Sequence, residues 1–186
     1  VESEDGIKVI YFINEGASTV ISEVRFEGNV VVSDKTLKGK ISSKEVGFLK
    51  DGAFQKTAIE ADKQAIINYY MTRGYIDARI VDVLQDSYFN AEKERTEVII
   101  TFIIQEGAQY TFNGLTITGN EIFTTEKLES FMKLKKGAVF NQAKFQEGIS
   151  GITNLYYENG YMDNTYYPTY NKNREAKPIV YEFAIQ

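Results

Sequence analysis

Asp77 and Asp163 occupy matching places in the sequence: the first closes Gly74-Tyr75-Ile76-Asp77, the second Gly160-Tyr161-Met162-Asp163. Two carboxylates would do acid–base chemistry if the fold brought both within hydrogen-bond reach of one substrate. No sequence feature places them together, and no other part of an active site accompanies them. The chain holds no histidine and no cysteine, which excludes His-based triads, thiol nucleophiles, zinc–thiolate sites and disulfides. Neither a phosphate-cradling loop nor a metal-ligand spacing occurs. The expectation is a protein that is not an enzyme and has no catalytic, cofactor-binding or metal site.

Aromatic side chains are the other candidates for recognition. Tyr88-Phe89 stands within residues 85–96, a polar and charged stretch that reads as a long hairpin connection. An aromatic pair there is expected to be exposed and to contact a partner. Tyr156, Tyr157, Tyr161, Tyr166, Tyr167 and Tyr170 could form a carbohydrate-binding surface, yet helix and strand periodicity sends about half of such rings to the core. Formal net charge is -5, with Lys and Arg interleaved among acids and no basic stripe. Nucleic acid is therefore not an expected partner, since phosphate contacts need clustered cations.

The elements that position these residues follow from periodicity. At 186 residues, 43% hydrophobic, the chain can form one domain or two small ones. Residues 7–13 are apolar on most of both faces, as in a covered strand, and end at Glu15-Gly16. Residues 20–27 read as a strand stopped by Gly28-Asn29, a turn dipeptide. Ser33 is placed to cap a helix carrying Leu37 and Ile41. Residues 42–52 form a loop, and Thr57 with Glu60 makes a capping box that opens a longer helix. On that helix Ile59, Lys63, Ile66 and Tyr70 share a face, and Gly74 ends it. Residues 75–84 and 97–105 are strands, the second strongly apolar.

The second half replays this order. Residues 110–118 form a strand before Gly119-Asn120, and Thr124 or Thr125 caps a helix with Leu128. Asn141 caps a longer one with a Phe145, Ile149, Ile152, Tyr156 stripe, ended by Gly160. Residues 161–170 and 179–185 are strands. Ile103-Ile104-Gln105-Glu106-Gly107-Ala108 echoes Phe12-Ile13-Asn14-Glu15-Gly16-Ala17, 91 positions earlier, and Ala184-Ile185-Gln186 echoes it 81 positions after Ile103. Phe26-Glu27-Gly28-Asn29 meets Ile117-Thr118-Gly119-Asn120 at 91, while Ile66 and Tyr70 meet Ile152 and Tyr156 at 86. One loop-length change accounts for the difference, so the chain is a tandem duplication.

A strand ending Gly-Asn, two helices, Gly-Tyr, then a hairpin ending Glu-Gly resembles the POTRA (polypeptide-transport-associated) module. Its carriers are Phe26-x-Gly28-Asn29, Tyr70-x-x-x-Gly74-Tyr75, Glu106-Gly107, Ile117-x-Gly119-Asn120, Tyr156-x-x-x-Gly160-Tyr161 and Glu15-Gly16. The resemblance spans essentially the whole chain and is to the periplasmic arm of BamA-type outer-membrane assembly factors. It implies an α+β fold of tandem POTRA modules, each β-α-α-β-β, with a three-stranded mixed sheet covered by two antiparallel helices. Residues 1–18 would be the closing strand of a preceding module in a longer protein, 19–108 a third-like module, and 109–186 a fourth-like one. It further implies a periplasmic location within an outer-membrane protein. The implied partners are unfolded outer-membrane proteins, assembly lipoproteins and the protein's own C-terminal membrane barrel.

The implied binding mode is β-augmentation, an extended peptide pairing with a free sheet edge. Charged residues among the apolar ones mark residues 76–84 as the edge, with Ala78, Arg79, Ile80, Val81, Asp82, Val83 and Leu84 the expected peptide-binding segment. The apolar phase changes at Ile80-Val81, which predicts a β-bulge with Val81 and Val83 on the face opposite Ile80. Pro168 argues against the matching edge in the second half. Glu106, Gly107 and Ala108 are the expected inter-module joint, and the two or three residues near Ala108 to Tyr110 that link the modules are too few to allow free motion. The alternatives are the POTRA arm of another barrel transporter, TamA-like or of two-partner secretion, and a small-molecule or glycan-binding α+β module.

Overall fold

A computed structural model describes Tyr11 and residues 17–47, 52–173 and 178–185. The strand expected at residues 7–13, its Glu15-Gly16 exit and Gln186 lie outside the described residues. The element order is β1 (Thr19–Glu27), α1 (Asp34–Lys38), α2 (Lys56–Met71), β2 (Arg79–Asn90), β3 (Arg95–Gln105), β4 (Thr111–Thr118), α3 (Thr125–Glu129), α4 (Gln142–Glu158), β5 (Tyr166–Lys172) and β6 (Pro178–Ile185). They make two three-stranded sheets, ordered β1-β3-β2 and β4-β6-β5. In each the central strand is parallel to the first and antiparallel to the last. The fold is thus a tandem repeat of one mixed α+β unit.

Each sheet buries one face under its helices. Val98, Ile100, Phe102 and Ile104 of β3 alternate into the first core and meet Ile59, Ile66 and Tyr70 of α2. Full burial of a side chain of this size stabilises by about 1.5–3 kcal/mol. The second core is built on Phe145, Ile149, Ile152 and Tyr156 of α4. In β1 the register slips between Ile21 and Glu23, so Ser22 is extra. This lets Ile21 and Val24, three apart, both face the core. The same slip recurs between Phe112 and Leu115 in β4.

Several local expectations are corrected. The Thr57–Glu60 capping box does not form: Gln55 is the N-cap of α2, with no side-chain cap bond, and Glu60 pairs with Lys63. Asp62, rather than Lys63, occupies the buried stripe. Its carboxylate accepts the N–H and hydroxyl of Ser42 and the N–H of Ser43, fastening the inter-helix loop to α2. Residues 85–90 are not a loop. β2 runs on to Asn90 because Gln85 through Asn90 each find a partner across β3, leaving only residues 91–94 as the turn, where Glu94 adopts φ 48°. Residues 75–78 and 161–165 precede their strands as turns.

Candidate functional site

Among the described residues, β2 lies at an edge of its sheet, with β3 on one side and no strand on the other. The opposite edge is closed. Along β1, Ile21 N–H donates to Gly52 C=O, Val46 N–H donates to Ile21 C=O, and Phe54 N–H donates to Thr19 C=O. Val24 N–H donates to the Glu45 carboxylate at 2.9 Å, and Lys38 holds that carboxylate at 2.7 Å. In the second sheet the corresponding loop covers β4 through Phe112 N–H to Ala138 C=O, Gly137 N–H to Phe112 C=O and Phe140 N–H to Tyr110 C=O. The edge strand β5 contains Pro168, which cannot donate to an incoming strand.

The expected peptide-binding segment has a mixed structure. Ala78 is buried in the turn ahead of β2, its N–H donating to Tyr75 C=O. Arg79 is held by Gln105 Oε1, at 2.9 Å from Nε and 2.6 Å from the terminal nitrogen. Ile80 and Val83 both pack against the first core. The register slips between Ile80, opposite Ile104, and Asp82, opposite Ile103, so Val81 is the extra residue. The bulge therefore returns Val83 to the face of Ile80, where alternation alone would have put it on the other. Val81 is pushed outward, 59% exposed, and Leu84 is exposed on the sheet's open face. The Asp82 carboxylate turns back to accept Val83 N–H.

Tyr88 and Phe89 sit in β2, not in a loop, and both are exposed. Tyr88 lies across from Glu97, and its hydroxyl donates to Glu97 Oε2 at 2.7 Å. Arg95 and Lys93 donate to Oε1 at 2.8 and 3.1 Å. The Tyr88 hydroxyl first, then Arg95 and Lys93, hold the Glu97 carboxyl down at about 2. Sequence reasoning missed this lock because Glu97 reads only as the start of a strand.

Glu106 is buried, which its place in an exit turn did not announce. It accepts Tyr70 Oη–H at 2.7 Å and the Val31 N–H at 3.0 Å, tying the end of β3 to α2 and to the loop after β1. Burial and this carboxylate push the Tyr70 phenol well above its ordinary range. Gly107 adopts φ 73°, and a Cβ there would stand 3.0 Å from that of Asp77. Ala108 packs against the second core.

The contact between the two units centres on Asp77. Its Oδ2 accepts the hydroxyl of the fully buried Tyr110 at 2.7 Å, and its Oδ1 lies 2.7 Å from Lys172 Nζ. Tyr110 N–H donates to Gly74 C=O, and Gln109 Nε2 to Arg73 C=O. Asp163 lies exposed in a cleft with Gly119, beyond the other end of β4. The two aspartates are thus at opposite ends of the second sheet and form no acid pair. Among the described residues, no group of three or more carboxylates could hold a metal ion, and no helix is long and apolar enough to cross a membrane.

The chain matches the family model POTRA, described as surface antigen variable number repeat, over residues 19–107 and again over 110–184. It is 37% identical over 180 residues to a candidate outer membrane protein assembly factor of Treponema pallidum, covering 97% of this chain and 22% of that protein. The outer membrane protein assembly factor BamA of Neisseria meningitidis is 27% identical over 180 residues, 94% of this chain and 22% of that protein. Among solved structures, Haemophilus influenzae BamA POTRA3-5 superposes with a TM-score of 0.70 at 23% identity, covering 94% of this chain and 68% of that one, a likeness of fold. The chain spans about a fifth of the length of these curated relatives.

Proposed function

The chain belongs to the POTRA family, and on that premise we propose that it is a periplasmic scaffold segment of an outer-membrane protein assembly factor, binding without catalysis. Its modules are read as residues 19–108 and 109–186, third-like and fourth-like in a longer arm that leads to a membrane barrel. The partners proposed are unfolded outer-membrane proteins, taken up by β-augmentation on β2, and assembly lipoproteins, for which exposed Tyr88 and Phe89 are candidate contacts. The observation that supports this reading most is the asymmetry of the edges. β1 and β4 are covered by loops and β5 carries proline, whereas β2 offers a twelve-residue edge with no strand beside it among the described residues.

The test uses Val81→Pro. Val81 is the bulged residue and has no opposite number in β3, so proline there spares the ladder while disturbing an incoming strand. Binding of a fluorescently labelled, urea-unfolded outer-membrane barrel protein is expected to weaken at least about tenfold, which is 1.4 kcal/mol. The unfolding temperature should stay near that of the parent. Undiminished affinity in a folded Val81→Pro protein would refute the β2 site.

A further inference from the structure

We propose that the groove between α4 and β5, where the first unit meets the second, binds an N-acetylated saccharide chain. The proposal stands apart from whether β2 binds peptides. The groove encloses about 330 Å³, at the small end for a ligand site and enough for about one or two sugar rings. Tyr166 and Tyr170 form one wall. They stand four apart in β5, so both rings fall on the same face of the strand. A ring that served only the core would be covered, whereas Tyr170 is 60% exposed. Lys172 steadies that ring: its Nζ lies 5.4 Å from the centroid and is itself held by Asp77 at 2.7 Å.

The opposite wall carries Gln142 and Gln146, four apart on α4 and so on one helix face. No hydrogen bond among the described residues engages either side-chain amide. Each amide offers both donors and an acceptor, the complement of the hydroxyl and acetamido groups along a sugar's edge. The C–H face of the same sugar then lies against the aromatic wall. Met71 and Ile76 of the first unit complete the groove and give an acetyl methyl an apolar seat. Two other ligand classes fit less well. Among the described residues Lys172 brings the groove's one charge, and Asp77 neutralises it, so an ionic ligand would leave water without a counter-charge. An extended peptide pairing with β5 would meet Pro168, which has no N–H to donate.

The experiment titrates the isotope-labelled chain with tetra-N-acetylchitotetraose, with cellotetraose as a glucan control of equal length, and follows amide NMR shifts. Saturable shifts along β5 and the first turns of α4 are expected with the acetylated sugar, and binding of the glucan at least about fivefold weaker. Tyr170→Ala and Gln146→Ala, both at exposed positions, should each weaken binding at least about fivefold through loss of a stacked ring or a hydrogen bond. Their unfolding temperatures should stay near that of the parent. Val81→Pro should leave the affinity unchanged, which separates this groove from the β2 edge. No saturable shift, equal binding of the glucan, or undiminished affinity in the two folded variants would overturn the assignment. So would loss of saccharide binding in Val81→Pro, which would move it to β2. Groove shifts caused by an unfolded barrel segment, lost in Tyr170→Ala and absent with the saccharide, would overturn it in favour of a peptide.

Discussion

The hydroxyl of Tyr110 donates to the carboxylate of Asp77 at 2.7 Å, across the boundary between the two modules. Lys172, the last residue of β5, meets the other carboxylate oxygen at the same distance. One side chain in the turn after α2 thus holds the entry and the edge strand of the next module. Gly74 belongs to this contact through its backbone: at φ 84°, an added Cβ would stand 2.7 Å from Tyr110 C=O.

Asp77→Ala is therefore expected to loosen the joint. It removes the carboxylate that accepts the Tyr110 hydroxyl, a hydrogen bond to a charged group worth about 1.5–3 kcal/mol. Pulsed electron-spin distance measurements between labels on α2 and α4 should show one narrow distribution in the parent and a broad one in Asp77→Ala. An unchanged width would mean that the Gly74 and Gln109 backbone contacts suffice.

Glu106→Ala should act inside the first module rather than between modules. It strips the acceptor from Tyr70 and from Val31 N–H, an expected loss of about 2–3 kcal/mol, since bonds to charged groups are the stronger kind. Glu106→Gln should recover part of it. Because burial first and the Glu106 bond second raise the Tyr70 phenol above 10, its contribution to stability is present below pH 10 and lost as pH rises beyond it. Urea midpoints at pH 9 and 11 should fall less in Tyr70→Phe than in the parent. An equal fall would assign the alkaline loss elsewhere.

Glu97 sets an acid limit. With its carboxyl lowered from 4.5 to about 2 in the folded state, its stabilising effect is complete above pH 4.5 and disappears between there and pH 2. Tyr88 contributes most to the shift, so Tyr88→Phe should move the folded-state titration of Glu97 back toward 4.5, as read by carboxyl-carbon NMR. Glu97→Gln should flatten the pH dependence of the urea midpoint across this window. A slope as steep as the parent's would exclude Glu97 as the source.

Much of this was legible without coordinates because the information is local or repeated. Gly28 and Gly119, Ser33 and Thr124, Asn141, and the Phe145 to Tyr156 stripe declare turns, caps and a core face through backbone and periodic constraints that neighbouring residues settle. The duplication declared two units by the spacing of Glu-Gly and Gly-Tyr. The phase change at Ile80-Val81 announced a bulge, though not its effect on Val83, which depends on the register against β3. Residues 85–90 read as a loop because their polarity suits one, while pairing with β3 overrides composition on an exposed edge.

The sequence by itself determined the α+β repeat, its elements and the edge character of β2, because these follow from period, glycine placement and charge. Only the tertiary structure decided what the carboxylates do. Asp62, Asp77, Glu97 and Glu106 meet partners 9 to 95 positions away at the farthest points of their bonds. No pattern of residue types specifies which distant hydroxyl, amide or ammonium group a carboxylate will face. That choice is made when the sheets and helices pack.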